Sequence, residues 1–454
     1  MKKIFQYIML AVVTIVMASC TSDIEETTAT TGKNNIQLVV SEFPAFGDSQ
    51  TRAIGTTDPG KTSWAEGDEL LLVMTSKTLG TKYATFKYNG SSWELASGEL
   101  PYKEDEVPIF PHVYYAPNYK WEAGKLVLKE GKVAGTDEYI EGTAEITPNG
   151  EAITVKFAEA TRNYSRLRIA TLPNEQITVD TEDFTPAGSS DMEQKGNYTL
   201  TSDEKGNAYL YGTFENNSEV TVKYREAALT THTFSQATEN AKSYALDATV
   251  ISANSAEEIK SAINQEVANS KTAIRLNIAS DAGDNEFEAI REAFENVRSG
   301  TIDLTLIGCK EIPADGLNNS FRELEALKSI TLPDVTKLGK RALIYCENLE
   351  TVNAPKVTAI DQQAFYSCQK LEKVILGTLT DVRGEVYSED GIFNGISILK
   401  RQTDLYLPKN QEVMKGEFDE NSNQYIWKPT GESYFASPNG EFLGYQFRSV
   451  RSWE

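Results

Sequence analysis

Cysteine and histidine are the residues of this sequence with the most distinctive chemistry, and both are scarce. The chain of 454 residues contains four cysteines and two histidines. His112 and His232 lie 120 residues apart, so a zinc site or a His-based catalytic triad has few residues from which to form. No phosphate-binding glycine loop, G-x-S-x-G elbow or HExxH motif occurs, and no carboxylate pair is marked out for glycoside hydrolysis. The sequence therefore predicts neither a cofactor nor an enzyme.

Cys20 follows a segment with the order of a secretory signal. Lys2 and Lys3 precede an apolar run from Ile8 to Ala18, and small residues come next. A helix of about 11 residues is about 16 Å long, which is roughly half of the hydrocarbon core of a membrane. We therefore predict that residues 1–19 are a signal peptide that is removed after export.

The residues around Cys20 carry a resemblance to bacterial lipoproteins. Met17-Ala18-Ser19-Cys20 resembles the lipobox, which implies that Cys20 is acylated with fatty acids such as palmitate and becomes the first mature residue. Two or three acyl chains hold a protein firmly, whereas one binds only marginally. The acidic stretch "SDIEE" resembles the surface-export signal of Bacteroidetes lipoproteins, which implies a surface-exposed protein of the cell outer membrane. The alternative is a simple secreted protein in which Cys20 is incidental.

The net charge limits the class of partner. The chain has 44 basic and 66 acidic residues, which gives a net charge of −22. A charge of this size repels nucleic acid and anionic lipid headgroups. A nucleic-acid partner is therefore not expected.

Short alternating runs indicate that residues 20–250 are β-structure. "NIQLVV" places Ile36, Leu38 and Val40 on one face, as in a half-buried strand, and "ELLLVM", "AITVKF" and "AYLYGTF" follow similar patterns. The Asn89-Gly90 pair predicts a hairpin, because both residues tolerate the positive φ of a type I′ turn. Strands at this spacing, with few helical patterns, predict β-sandwiches.

Several of these segments resemble the fimbrillin family of Bacteroidetes pilus subunits. The resemblance is carried by "TRAIGTT", "SWAEGDELLLVM", "VPIFPHVYYAPNY" and "AITVKFAEATRNYSRLRIA", and by "ENAKSYALDATV" as a closing strand. It implies two tandem transthyretin-like β-sandwiches, at residues 53–160 and 161–250. The segment 20–52 would then be a lipidated N-terminal piece with the first strand.

The same resemblance gives Arg52 and Ala53 a role in processing. In fimbrillins a trypsin-like protease cuts after an arginine in this region, so the match implies that Ala53 becomes the mature N-terminus in the fimbrium. Loss of the first strand would leave an unpaired sheet edge, which a strand donated by another fimbrillin subunit can fill. The alternative is that Arg52 is a solvated loop residue in a lipoprotein that is never cleaved.

The C-terminal half begins with a helical pattern and then repeats. Ser255 with Glu258 predicts a helix capping box, and we expect a helical cap over residues 251–300.

Apolar residues then recur at a step of 22, a period found among leucine-rich repeats, and "LEKVILGTLTDV" next to "AFYSCQKL" resembles the repeats of BspA-like bacterial surface proteins. We predict a short α/β leucine-rich repeat solenoid at 301–410, with the fifteen phased positions Leu327, Leu349, Leu371, Ile330, Val352, Val374, Leu332, Ala354, Leu376, Val335, Val357, Leu379, Leu338, Ile360 and Val382.

The remaining cysteines fall within this half. Cys346 and Cys368 also differ by 22 residues, which places them on adjacent repeats. Two interpretations stand: a column of small apolar residues in the core, or a disulfide in an oxidising compartment. Cys309 has no evident mate and is expected to be a buried thiol.

The candidate contact residues lie on the repeats and in the tail. Thr331, Asn353 and Ile375 should point outward, opposite the core positions. The segment 411–454 has a turn at 438–440 between aromatic runs and predicts a closing hairpin. Tyr434 and Phe435 in this tail are either part of a ligand-facing aromatic patch or part of a cap for the open end of the repeats.

Two functions from different classes are consistent with the sequence. The first is a pilus subunit that acts as a tip adhesin, because about 200 residues follow the strand that fimbrillins use in polymerisation. The second is a permanently lipid-anchored surface protein whose repeats bind host protein or glycan without polymerising. An enzyme acting on polysaccharide is a third class, for which no residue can be named.

Overall fold

The computed structural model describes residues 37–48, 60–100, 109–146, 152–157, 162–225, 227–314, 321–386, 391–394 and 402–453. The described chain is mainly β, as predicted, with two α-helices. Its residues form two compact units that divide the chain between Tyr164 and Ser165, except that Asn240–Lys242 belong to the first unit.

The first unit is built around one seven-stranded sheet. Its strand order is β1-β10-β9-β6-β3-β4-β5, and a separate two-stranded sheet pairs β7 with β8. β1 pairs parallel with β10, and the other neighbours in this sheet are antiparallel. The strands are β1 (Gln37–Val40), β2 (Gly47–Asp48), β3 (Glu69–Ser76), β4 (Gly80–Tyr88), β5 (Trp93–Gly98), β6 (Ile109–Tyr115), β7 (Tyr119–Glu122), β8 (Lys125–Leu128), β9 (Ile140–Ile146) and β10 (Ala152–Lys156).

The predicted hairpin at Asn89-Gly90 is present, but its loop differs from the prediction. Tyr88 pairs with Trp93, so four residues separate the strands instead of two. The Asn89 side chain accepts hydrogen bonds from the N–H groups of Ser91 and Ser92, while Gly90 alone takes a positive φ of 93°. Asparagine therefore acts here through its side-chain acceptor and not through a left-handed backbone.

The second unit opens with a sheet whose strand order is β16-β15-β12-β14-β11-β17, and β13 pairs with β12. The closing strand β17 lies parallel to β11, with Leu167 opposite Tyr244 and Ile169 opposite Leu246. The strands are β11 (Ser165–Ala170), β12 (Gln176–Pro186), β13 (Glu193–Thr201), β14 (Asn207–Phe214), β15 (Glu219–Tyr224), β16 (Ala227–Thr233) and β17 (Lys242–Asp247).

The predicted helical cap contains two helices and also two strands that the sequence did not reveal. The elements are β18 (Ile251–Ser252), α1 (Ala256–Ala268), β19 (Ala273–Asn277) and α2 (Asp284–Phe294). The Ser255 hydroxyl accepts from the N–H of Glu258, as predicted, but the Glu258 carboxylate accepts from the N–H of Asn254 instead of Ser255. β18 and β19 are short and pair parallel with each other, and β19 pairs with β20, so they belong to the repeat sheet.

Two sheets run side by side through the repeat region. The first has the order β18-β19-β20-β22-β24-β26-β28-β33 and is parallel throughout. The second has the order β21-β23-β25-β27-β30-β29, in which the first four strands are parallel. The strands are β20 (Ile302–Ile307), β21 (Glu311–Ile312), β22 (Leu327–Thr331), β23 (Lys337–Leu338), β24 (Thr351–Ala354), β25 (Ala359–Ile360), β26 (Lys373–Leu376), β27 (Asp381–Arg383) and β28 (Asp404–Leu407).

The step of 22 residues sets the register from β22 to β26 in the first sheet and from β23 to β27 in the second. Ile330 pairs with Val352, which pairs with Val374. All fifteen phased apolar residues belong to one core cluster, and none is more than 1% exposed. The predicted apolar phase is therefore confirmed.

The tail differs from the single closing hairpin that the sequence predicts. Its elements are β29 (Glu412–Asp419), β30 (Gln424–Ser433), a 3₁₀ turn (Tyr434–Ala436), β31 (Glu441–Phe442), β32 (Tyr445–Gln446) and β33 (Ser449–Ser452). The residues 438–440 follow the 3₁₀ turn and do not join two strands. Tight reversal occurs instead between β31 and β32, where Leu443 and Gly444 both have positive φ, and β33 then extends the parallel sheet beside β28.

Within the described residues, neither helix has the length and apolar character required to cross a bilayer.

Candidate functional site

The residues predicted to take part in processing lie on either side of the first described strand. Cys20, Arg52 and Ala53 lie outside the described residues. Between them, residues 37–46 are described and are named here the β1 segment. Its contacts determine what a cut at Arg52 would release.

The β1 segment forms one edge of the seven-stranded sheet. Leu38 lies opposite Ile153 and Val40 opposite Val155 in a parallel pairing. Leu38 is 0% exposed and Val40 3%, which agrees with the alternation predicted from "NIQLVV". The strand thus supplies core side chains although only one of its edges is paired.

Ser41 fixes the end of this strand through three hydrogen bonds. Its N–H donates to the carbonyl oxygen of Val155 at 2.9 Å, and its hydroxyl accepts from the N–H of Phe157 at 2.9 Å. Its carbonyl oxygen accepts from the indole N–H of Trp64 at 2.8 Å. Phe43, 4% exposed, then packs edge-on against Trp64 with the ring centroids 4.9 Å apart.

A buried arginine holds the rest of the β1 segment. Arg162 is 0% exposed and forms an ion pair with Glu138 at 3.3 Å. Its Nη1 donates to the carbonyl oxygen of Pro44 at 2.6 Å, and its guanidinium lies 4.0 Å from the ring centroid of Phe46. The β1 segment is therefore part of the environment that satisfies a buried charge.

Tyr164 completes this ion pair. Its hydroxyl donates to Oε2 of Glu138 at 2.7 Å. Burial and the neighbouring Glu138 carboxylate raise the pKa of Tyr164 well above its ordinary value, so the phenol stays protonated and remains a donor. Arg162 and Tyr164 together supply the donors that a buried carboxylate requires.

The predicted contact residues on the repeats form one column. Thr331 pairs with Asn353, and Asn353 pairs with Ile375, on three adjacent strands. All three are half-buried. The register continues the column to Thr305 on one side and to Tyr406 on the other. Sequence spacing identified three members of this column but missed Tyr406, because an insertion separates β28 from β26 in the chain.

The tail aromatics pack against each other. Tyr434 is 6% exposed, and its ring lies edge-on to Phe435 and Phe442 with centroids 5.3 and 5.4 Å away. Tyr445 and Phe447 both contact the ring of Phe393 edge-on. This burial favours the interpretation of the tail as a cap, with the half-buried Phe435 as its more accessible ring.

A groove lies beside α2 in the repeat region. Its volume is about 720 Å³. Phe294, Tyr345 and two arginines line it together with several carboxylates: Arg291, Glu292, Glu295, Arg322, Glu323, Glu325 and Glu347. Mixed donors, acceptors and aromatic rings of this kind suit a polar ligand. Sequence reasoning could not find the groove, because its residues come from α2 and from the turns of separate repeats.

The three described cysteines are buried thiols that form no disulfide. Cys346 donates from Sγ to the carbonyl oxygen of Phe321 at 2.8 Å, and Cys368 donates to that of Leu343 at 3.1 Å. The two acceptors are also 22 residues apart, so each thiol makes the same contact one repeat further on. This arrangement agrees with the core-column interpretation.

We expect these thiols to be unreactive in the folded chain. Burial raises the pKa of Cys309 and Cys346 to about 12 and that of Cys368 well above its usual range. At pH 8 about one ten-thousandth of such a thiol is thiolate, which is the reactive form. Protein starting at Thr21 should therefore resist an aromatic disulfide reagent, and denaturant should release three thiols. Rapid reaction of any thiol before unfolding would contradict this.

Asp334 connects the repeats with the sheet that precedes them in the second unit. It is 3% exposed and accepts from the N–H of Gly308 at 3.1 Å. Lys356 donates to its carboxylate at 3.2 Å, and Arg225, at the end of β15, lies 3.5 Å away. Burial alone would raise the pKa of Asp334, but Gly308 and Lys356 outweigh this and hold the pKa below its ordinary value.

The depressed pKa makes the contribution of Asp334 dependent on pH. A carboxyl whose pKa is lower in the folded state stabilises above its unfolded pKa of about 3.9, and this stability is lost as the pH falls through the folded pKa. We expect Asp334→Asn to cost about 1–3 kcal/mol at neutral pH. The difference from wild type should shrink below about pH 4 in urea titrations, and an unchanged difference in acid would contradict the assignment.

The two histidines have separate partners. His112 pairs with Glu141 at 2.8 Å on a half-exposed surface, and His232 lies edge-on to Phe234. No group of three or more metal-binding side chains occurs within the part of the chain that the structure describes.

Comparison with known proteins places the repeats in a family. A family model described as a BspA type leucine-rich repeat region matches residues 291–406 in six copies. A search of curated proteins found no match to the chain. The match begins within α2, ten residues before the boundary predicted from the 22-residue phase, and covers the column and all residues that line the groove. Residues 291–406 are a BspA-type leucine-rich repeat region.

Proposed function

We propose that this protein is a cell-surface pilus subunit of the fimbrillin type that acts as a tip adhesin. It is exported as a lipoprotein on Cys20, held at the outer membrane and cut between Arg52 and Ala53. Another subunit then donates a strand in place of the β1 segment. The regions 53–160 and 161–250 are two transthyretin-like sandwiches, and the repeats at 301–410 are a solenoid that contacts the target of adhesion.

The position of the β1 segment is the observation that carries this proposal. It lies at a sheet edge, so it can leave without breaking a strand pair elsewhere in the sheet. Its apolar side chains fill the core, so its loss opens an apolar groove beside β10 that a donated strand can fill. It also lies upstream of Arg52, so one cut separates it from the rest of the chain.

The closing strand supports a place at the end of a fibre. Leu246, Ala248 and Val250 belong to the core cluster of the second unit's first sheet, and Ile307 of β20 belongs to the same cluster. Arg275 of β19 donates to the carbonyl oxygen of Leu229 at 2.7 Å, and Asp334 adds its ion pair with Arg225. A strand built into its own sheet and covered by the repeats has no free length to donate, so this subunit accepts a strand and donates none.

The column of Thr331, Asn353 and Ile375 and the groove beside α2 are the two surfaces that we assign to the partner. The column offers hydroxyl, amide and apolar groups in one line, and the groove offers charged groups around Phe294 and Tyr345. Either set of groups suits a host protein or a glycan.

The test of the tip assignment is the product of cleavage. We expect protein that is cut after Arg52 to accept one donated strand beside β10 and to donate none. Electron microscopy should therefore show short assemblies and no long homopolymers. Removal of residues 251–454 would expose β17 and should permit longer assemblies if the short form folds. Long fibres from the cut full chain would overturn the assignment.

The alternative is a permanently anchored surface protein that binds its partner without polymerising. The contacts of the β1 segment favour it specifically, because Ser41 and Arg162 hold this strand by hydrogen bonds as well as by apolar burial. In this case Arg52 is a loop residue and Cys20 is the lasting attachment. The same repeat surfaces serve as the binding face.

A further inference from the structure

Lys61 has the least exposed side chain of the lysines that form ion pairs within the described residues. It is 26% exposed, and its partner Asp68 is 11% exposed. Its Nζ contacts both carboxylate oxygens of Asp68, with Oδ2 at 2.5 Å. It also donates to the hydroxyl of Tyr115 at 2.7 Å, and this hydroxyl donates to Oδ1 of Asp68 at 3.1 Å. The amine nitrogen of Lys61 is therefore in contact with both oxygens of the Asp68 carboxylate.

Aromatic rings surround this pair. Nζ of Lys61 lies 5.1 Å from the ring centroid of Phe43 and 4.7 Å from that of Tyr115. Trp64 packs edge-on against both rings at 4.9 and 5.3 Å. These rings and the low exposure of Asp68 limit the access of water to the pair. Neutral amine and neutral acid are the forms that can condense.

A second acid lies within electrostatic range of the lysine. Burial raises the pKa of Asp137, the Glu138 carboxylate adds to the rise, and the charge of Lys61 opposes it. Burial also raises the pKa of Tyr115, and Asp68 and Asp137 contribute to this rise. Asp137 thus interacts electrostatically with both Lys61 and Tyr115.

We propose that Lys61 and Asp68 condense to an intramolecular isopeptide bond. The proton of the ammonium first passes to the Asp68 carboxylate, and the lone pair of Nζ then attacks Cγ. The Nζ–Cγ bond forms, the Cγ–OH bond breaks, and the hydroxyl leaves as water with a proton from the Tyr115 hydroxyl, which contacts both Nζ and Oδ1. The nitrogen gives up one further proton, which returns to the Tyr115 oxygen, so no oxidant or co-reactant is consumed.

A more exposed pair on the same sheet lacks these features. Lys82 and Glu99 pair across β4 and the end of β5, with side chains 35% and 67% exposed. Their bond is solvated, so Lys82 serves as a matched control. An amide between Lys61 and Asp68 would close residues 61–68 into a covalent loop immediately before β3 in the chain. Both linked residues follow Arg52, so the bond is present whether or not the proposed processing occurs.

Mass spectrometry of the wild-type chain tests the proposal directly. We expect an intact mass below the sequence mass by one water, about 18 Da. Trypsin should fail to cut after Lys61, so residues 53–77 should appear as one peptide that is also lighter by about 18 Da. Lys61→Arg should restore the full mass, Lys82→Arg should keep the loss of water, and Tyr115→Phe should leave a larger unlinked fraction.

Two outcomes would overturn the proposal. The first is a wild-type chain of full mass, which would make Lys61–Asp68 an ordinary ion pair. The second is a loss of about 18 Da with normal cleavage after Lys61, which would indicate a succinimide at an aspartate. The mass of the wild-type chain shows by itself whether the bond has formed. The proposal is therefore tested even if a variant fails to fold.

Discussion

Replacing Arg162 with methionine is expected to destabilise the first unit by about 3–5 kcal/mol, because the change leaves the Glu138 carboxylate buried without its charged partner. The same change removes the donor to the Pro44 carbonyl oxygen and the cation from the ring of Phe46. Urea unfolding followed by tryptophan fluorescence measures the loss, since Trp64 and Trp93 lie in this unit and pack against each other.

Two further variants separate the charge effect from the loss of packing. Arg162→Met with Glu138→Gln should recover part of the stability, because the carboxylate that lost its partner is gone. Lys156→Met removes a surface pair with Glu145 on the same sheet and should cost less than about 1 kcal/mol. An Arg162→Met variant as stable as Lys156→Met would contradict the role given to the buried pair.

Truncation of Leu349 to alanine is the second large effect, with an expected cost of about 2–5 kcal/mol to the second unit. Leu349 is 0% exposed and stands between Leu327 and Leu371 in the apolar phase of the repeats. The cavity left behind borders two neighbouring repeats, and a stacked repeat is stabilised mainly by its neighbours. Chemical denaturation monitored by far-UV circular dichroism measures the shift in midpoint.

The matched control lies on the surface of the next repeat. Glu372 is exposed, so Glu372→Ala should change the stability by less than about 0.5 kcal/mol. Equal costs for the two substitutions would show that the 22-residue phase does not mark the core.

The repeating patterns of apolar residues predicted the regular, repeating parts of this fold. The strict step of 22 placed Leu327, Leu349 and Leu371 in one buried column, because parallel strands one repeat apart pair in register. The alternation of Leu38 and Val40 predicted a half-buried strand in the same way. A pattern of this kind is visible in sequence because it reflects the geometry of one element.

Features that depend on contacts between distant segments were not predictable. Arg162 in "EATRNY" resembles any surface arginine, and its burial depends on Glu138, Pro44 and Phe46, which lie 24, 118 and 116 residues away in the chain. The groove beside α2 and the place of β33 in the repeat sheet have the same origin. Short strands such as β18 carry too few residues to show a period, so the region 251–300 was predicted as helical alone.

The identity of the N-terminus in protein taken from cells tests the central proposal most directly. Mass spectrometry of the fimbrial or surface fraction should find Ala53 as the first residue, which is the result expected of a pilus subunit processed at Arg52. An acylated Cys20 on all of the protein in that fraction, with the β1 segment still attached, would contradict it and establish the permanently anchored form.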